Sequence, residues 1–299
     1  MKILISGAGG LVGSHLIPVL KEKGHEIFRL VRKIPETPDE IRWDAQKGFS
    51  KSEKARLEGF DAVVHLAGDN VASEKWSAEK KRKIRESREI GTRVLVEALG
   101  ETENPPKIFV SASAIGFYGD RRDEVLTEES PKGEGFFPEV CDAWEKEARK
   151  AEAFGARVVN PRIGIVLAKD EGALAKMLLP FKLGVGGVIG SGKQWMSWIG
   201  IEDLIRIFVF ALENENLRGV YNATAPNPVT NEEFTKTLGR VLRRPTVLPL
   251  PEFAVKLLFG EMGETLLLEG CRVLPERLMK AGFEFKHADL ETSLRAVLD

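Results

Sequence analysis

The most constraining feature of this 299-residue chain is its first thirteen residues, in which a short apolar run, Lys2 to Ser6, breaks directly into glycines at Gly7, Gly10 and Gly13. An amphipathic stretch follows at once. A strand that must turn within three residues and then start a helix needs positions without a Cβ, both for the turn and for close helix–strand packing. The same geometry leaves the amides around Gly10, Leu11 and Val12 at the positive end of a helix dipole. There they can meet a diphosphate, so the spacing predicts a dinucleotide site.

The rest of the chain continues that beginning. Apolar runs at Lys2 to Ser6, Glu26 to Val31, Ala62 to Leu66, Lys107 to Ser111 and Arg157 to Asn160 are of strand length. Helical patterns at Leu11 to Lys23, Ser77 to Leu99 and Pro138 to Phe154 separate them, with Gly24 and Gly100 where helix-ending glycines belong. This alternation predicts a doubly wound parallel sheet with helices on both faces. After Asn160 the rhythm breaks. A glycine-rich loop, Gly184 to Gly192, precedes a helix at Ile201 to Leu212 and a strand at Gly219 to Ala223. Further helical patterns at Asn231 to Leu242, Glu252 to Phe259 and Pro275 to Ala281 read as a small mixed α/β lobe.

Composition excludes several classes of function. With 44 basic and 45 acidic residues, no global field draws the chain to nucleic acid or an anionic membrane. The start lacks the long hydrophobic stretch of a signal peptide or anchor, and Cys141 and Cys271 are too few for a disulfide framework, so a cytoplasmic protein is expected. Four scattered histidines give no metal-ligand spacing, and no metal is expected.

Three charged segments bear on the ligand. Where an acidic residue would meet the adenosine ribose of NAD, the second strand ends Val31-Arg32-Lys33, which favours the extra phosphate of NADP; the alternative is a pair of solvated loop charges. Gly187 to Lys193 nearly matches a phosphate-binding Walker loop. Gln194 stands where Ser or Thr would hold magnesium, though, and no buried strand leads in, so a flexible loop near the substrate is expected. Arg88 shares a helical stripe with Ile84, Gly91, Leu95 and Ala98, so it needs an anionic partner, either a cofactor phosphate or an internal carboxylate.

Longer segments carry a family resemblance: HLAGDNVASEKW (65–76), SREIGT (87–92), SASAIGFYGD (111–120), MLLPFKLGVGGVIGSGKQWMSWIGIEDL (177–204) and LLLEGCRVLPERLMKAGF (266–283). With them the chain resembles, end to end, the extended short-chain dehydrogenase/reductase superfamily. Within it, the match is to the atypical branch of nucleoside-diphosphate-sugar epimerase-like proteins with a C-terminal domain of unknown function. The resemblance implies that Leu66, Ala67 and Gly68 line the adenosine half of the cofactor. It implies that Arg88, Ser111, Pro161 and Arg162 lie along the rest, and that Ser113 hydrogen-bonds the reacting oxygen.

The pattern departs from active relatives at the catalytic helix. There a Tyr-x-x-x-Lys pair shuttles a proton, the cation lowering the phenol from its usual pKa of about 10. Here the aligned pair is Cys141 with Glu145 or, with a one-residue slip, Val140 with Trp144. Cys141, Tyr118 and, if desolvated, Glu145 are the substitute acids, Cys141 and Tyr118 weighed against a packing role and Glu145 against that of a surface helix carboxylate. Trp76, Trp195 and Trp198 could floor a substrate pocket, with Asp203 holding its shape.

The sequence thus predicts an α/β protein. Residues 1–167 and 200–225 form an NADP-binding Rossmann domain, and 168–199 and 226–299 a substrate-binding lobe. Its expected activity is that of an NADP(H)-dependent epimerase or reductase of atypical mechanism, monomer or homodimer, acting on a small polar, nucleotide-sugar-like substrate. The rival expectation is a redox-inactive NADP(H)-binding regulatory protein.

Overall fold

A computed structural model describes residues 1–299. The strands are β1 (Lys2–Ser6), β2 (Glu26–Val31), β3 (Glu40–Arg42), β4 (Ala62–His65), β5 (Ile108–Ser111), β6 (Ser113–Ala114), β7 (Val125–Leu126), β8 (Arg157–Ile163), β9 (Ile165–Leu167), β10 (Trp195–Met196), β11 (Trp198–Gly200), β12 (Gly219–Ala223), β13 (Val229–Thr230) and β14 (Arg272–Val273). The helices are α1 (Leu11–Glu22), α2 (Lys51–Lys54), α3 (Ala78–Gly100), α4 (Phe136–Arg149), α5 (Gly172–Lys182), α6 (Ile201–Glu213), α7 (Asn231–Leu242), α8 (Glu252–Gly263), α9 (Glu276–Lys280) and α10 (Leu290–Leu298).

One parallel sheet organises the molecule, in the order β12-β8-β5-β4-β1-β2-β3, with β6 continuing beside β8. This is the doubly wound Rossmann arrangement expected from the alternation. Its strands are apolar on both faces because both are covered. Ile3 and Ile5 enter one core with Leu16 and Leu20 of α1 and Leu204 and Phe208 of α6. Leu4, between them, enters the other with Leu95 and Leu99 of α3 and Ala148 of α4. The two-stranded sheets β10–β13 and β9–β11 belong to the later part of the chain, and β7–β14 ties Val125–Leu126 to Arg272–Val273.

Several expectations are corrected. The rhythm does not break at Asn160: β8 runs on to Ile163 and β12 pairs along it from Gly219 to Ala223. Pro161 survives inside this central strand because the neighbouring strand is interrupted there, between β5 and β6. The Ser111 carbonyl takes the Asn160 side-chain amide at 3.0 Å instead. Gly24 does lie just past α1, with φ +80°, but Gly100 is the last residue of α3. A Cβ on it would sit 3.2 Å from the Phe154 ring, so packing explains the glycine. Glu252 to Phe259 extends to Gly263 through a kink at Gly260. Strand β3 and helices α5 and α10 are additions to the sequence reading.

No helix is long and apolar enough to cross a membrane.

Candidate functional site

The parallel sheet brings the carboxyl ends of β1, β2, β4 and β5 to one rim. At its centre, Gly7 has φ +69°, and a Cβ on it would lie 2.7 Å from the Leu66 carbonyl carbon. Gly13 is just as tight: its Cβ would lie 2.5 Å from the Gly7 oxygen. These two glycines let α1 start directly against β1 and β4. Gly10 caps α1 with no side-chain hydrogen bond, and the first turn holds no acidic residue. The amides of Leu11, Val12 and Gly13 find no main-chain acceptor. An uncapped helix start beside a glycine turn fits a diphosphate by geometry and dipole.

The second turn on this rim, Leu66–Ala67–Gly68, is held by a buried polar clasp. Ser6 Oγ accepts the amides of Leu66 at 3.1 Å and Ala67 at 3.2 Å. Its single hydrogen therefore goes to His65 Nδ1 at 2.6 Å, and His65 Nε2–H donates to Thr92 Oγ1 at 3.0 Å. Burial lowers His65 to a pKa of about 3, so the ring is neutral. Because the folded value lies below the unfolded one, this contribution to stability is complete above pH 6.5 and is lost as pH falls toward 3. Relative to a His65→Gln variant, the protein should lose about 2 kcal/mol more between pH 7.5 and pH 5 in denaturant titrations. Parallel pH curves for the two proteins would refute the clasp.

At the end of β2, Arg32 is exposed and makes no hydrogen bond or ion pair, whereas Lys33 is paired with Glu36 at 2.7 Å. Arg32 is thus the free cation of the pair. Arg88 does point inward, packed against Gly68, where a Cβ would come within 3.1 Å of its guanidinium carbon. It lies over the Trp144 ring at 5.1 Å. It has no carboxylate partner, and only Nη1 is used, on the carbonyls of Asp69 and Ile84 at 3.1 Å each. Of the two partners expected for it, the internal carboxylate is absent. The indole Nε1 of Trp144, on α4, is buried and unpartnered; so is Ser111 Oγ at the end of β5.

Beyond Ser111 the site becomes a buried ionic network that the sequence did not reveal. Glu145 is no surface carboxylate: it is 3% exposed and held by Arg162, with Nε to Oε1 and Nη2 to Oε2, both at 2.8 Å. Arg162 was expected at the cofactor; its side chain is instead spent on this pair and, through Nη1, on the Tyr118 oxygen at 3.0 Å. Ser113 Oγ donates to Glu145 Oε1 at 2.6 Å, and Tyr118 donates to Asn222 Oδ1 at 2.7 Å. Burial pulls the Arg162 guanidinium down, but its bonds to Glu145 outweigh this and raise it.

Of the substitute acids, Cys141 and Tyr118 fare poorly. Burial, reinforced by Glu145, pushes the Cys141 thiol up to about 12. Burial likewise lifts Tyr118 to about 12, against the pull of Arg162. Both hold their protons tightly, so neither is matched to giving up and retaking a proton near neutrality. The pocket-floor reading also changes. Trp198 is fully buried in the core, while Trp195 bonds Asp123 at 2.8 Å under Arg272 and Trp76 packs on Phe136 and Phe137. Asp203 accepts the amides of Lys286 and His287, tying down the C-terminal segment. The stretch from Gly187 to Lys193 leads into β10 and not into a helix, so it lacks the helix start of a Walker loop.

A glycine turn against an open helix start, at the carboxyl edge of a doubly wound parallel sheet, defines a dinucleotide-binding α/β protein. The chain belongs to the NAD dependent epimerase/dehydratase family, whose model matches residues 3–224; a domain of unknown function, DUF1731, matches residues 250–297. The Arabidopsis thaliana epimerase family protein SDR39U1 homolog, chloroplastic, is 41% identical, covering 100% of this chain and 87% of its own. The Mycobacterium tuberculosis epimerase family protein MT2273 is 40% identical, covering 98% and 96%. The crystal structure of the human epimerase family protein SDR39U1 (isoform 2) with NADPH superposes with a TM-score of 0.91 at 35% identity, covering 99% of both chains.

Proposed function

We propose that this chain is an NADP(H)-dependent epimerase or reductase that acts on a small polar, nucleotide-sugar-like substrate between the main sheet and the C-terminal lobe. The observation that carries the cofactor choice is Arg32, exposed and unpaired at the end of β2 where no carboxylate follows. The NADPH in the human relative's structure supports it. In this reading the amides of Leu11, Val12 and Gly13, with Gly7 and Gly10 making the turn, hold the diphosphate, and Arg32 takes the 2′-phosphate, with Val31 and Lys33 beside it. Leu66, Ala67 and Gly68 line the adenosine; Arg88, Ser111 and Pro161 border the inner half. When bound, the dinucleotide supplies a hydride donor or acceptor. A cytoplasmic location is part of the proposal, although the Arabidopsis relative is described as chloroplastic.

The test is paired titration of NADPH and NADH. Arg32→Ala should weaken NADPH by about 1.5 to 3 kcal/mol, the worth of a charge-assisted pair, and leave NADH nearly unchanged. Equal weakening of both would remove the basis for NADP. One observation favours the second reading, a redox-inactive NADP(H)-binding regulator: Cys141 and Tyr118 are both held protonated. Absence of NADPH oxidation across a panel of carbonyl and sugar-nucleotide substrates, with tight NADPH binding retained, would select it.

A further inference from the structure

We infer that Ser113, Glu145 and Arg162 form a proton relay: Ser113 presents its hydroxyl to the reacting oxygen of the substrate, and the Glu145 carboxylate takes and returns the proton through it. The inference rests on the enzymatic reading above and names residues that reading leaves without a role.

The geometry has three parts. Ser113, 2% exposed, donates from Oγ to Glu145 Oε1 at 2.6 Å, while no protein group donates to Ser113 Oγ, so its lone pairs have no partner within the fold. Arg162 grips both carboxylate oxygens, at 2.8 Å each, and its remaining Nη1 is fixed by Tyr118. Register fixes the placement: β6 pairs with β8 so that Ser113 stands directly opposite Arg162. A buried ion pair by itself adds little to stability compared with apolar packing. A hydroxyl backed by a carboxylate, itself oriented by a third group, is the arrangement that activates hydroxyls for proton transfer.

In alcohol oxidation the substrate O–H bond breaks and a new O–H bond forms at Ser113 Oγ. The original Ser113 proton moves at the same time to Glu145 Oε1. The electron pair left on the substrate oxygen forms the carbonyl as the C–H bond on the same carbon breaks; its hydride would leave to the oxidised nicotinamide that the enzymatic reading supplies, and reduction reverses each movement. The groups facing Glu145 are Arg162 from β8, Ser113 from β6 and Cys141 one turn earlier on α4. Tyr118 and then Glu128, through Asn222, stand behind Arg162, and Arg88 of α3 lies beyond Cys141. Ser113 is the catalytic residue of this set; Glu145 and Arg162 act through it.

Two measurements on the full chain test the relay. In isotope-edited infrared spectra of the cofactor-free protein, the carboxylate band removed by Glu145→Gln should shift in Ser113→Ala, a variant that leaves the ion pair whole. An unmoved band overturns the relay. In NADPH oxidation with para-nitrobenzaldehyde and glyceraldehyde as carbonyl probes, Ser113→Ala and Glu145→Gln should each lower kcat by about a hundredfold or more. NADPH affinity should hold within about twofold, and the double variant should be no slower than either single. Glu145→Asp, which keeps a carboxylate on α4, should recover part of the kcat that Glu145→Gln loses, a rescue that a purely structural role would not produce. Wild-type turnover with Glu145→Gln within about threefold of it overturns the relay and leaves the enzymatic reading standing. No wild-type turnover with these probes or with any member of the carbonyl and sugar-nucleotide panel, NADPH still binding, overturns both.

Discussion

Gly7→Ala is expected to unseat the amino-terminal part of the sheet and to abolish NADPH binding together with it. At φ +69° a Cβ costs about 1 to 2 kcal/mol in backbone strain alone. Here that Cβ would also lie 2.7 Å from the Leu66 carbonyl carbon and 2.9 Å from the Ala67 nitrogen, contacts that only backbone movement can relieve. Overpacking of this kind adds about 1 to 3 kcal/mol, so the total should reach about 2 to 5 kcal/mol in denaturant midpoints. The displaced Leu66–Ala67 turn is the one clasped by Ser6, so the loss should spread to the adenosine side of the site. Gly9→Ala is the internal control, since its Cβ meets nothing within 4 Å. It should leave stability unchanged, and equal damage from both substitutions would discredit the close-approach argument.

Arg162→Met should be the most destabilising single change at the catalytic end. It strands Glu145, 3% exposed, without the cation that satisfies both its oxygens. Breaking a buried pair from one side costs about 3 to 5 kcal/mol. In a domain this large that lowers Tm by roughly 2 to 4 °C for each kcal/mol. Combining it with Glu145→Gln removes the stranded charge and should recover a substantial part of the loss in calorimetry. If the double variant is as unstable as the single, charge burial is not the cause.

Much of the fold was legible because it depends on local pattern. Strands β1 and β2 and the strand at Gly219 to Ala223 came out with their full extents, since apolar runs between polar turns leave little choice. What escaped was weakly patterned. Strand β3 is three residues long with charges at both ends, α5 carries Pro180 inside it, and α10 is a nine-residue helix. The glycine turn was readable because its steric demands are written in residue type. Glu145 was not, because its partners lie 32 residues before it and 17 after it, and only the sheet brings them together. A signal was nonetheless present: Glu145 follows Cys141 by one helical turn and stands beside Trp144 on the buried stripe of α4. The apolar stripe that turned Arg88 inward has its counterpart on α4 at Glu145. Arg162 was placed along the cofactor by the family resemblance, which says nothing of the carboxylate its side chain meets.

The alignment of β6 with β8 has an evolutionary corollary. Ser113 and Arg162 face one another through hydrogen-bonded main chain, and Ile108 opposite Arg157 keeps the same offset further down. Sliding such a ladder by one position would turn every neighbouring side chain to the wrong face, so the pair cannot drift by small steps. Diversification of this scaffold should therefore be concentrated outside the sheet, in segments such as residues 183–194, which bridge to Val247 and Leu250 and bond Asn231 of α7, while Ser113 and Arg162 are kept or lost together.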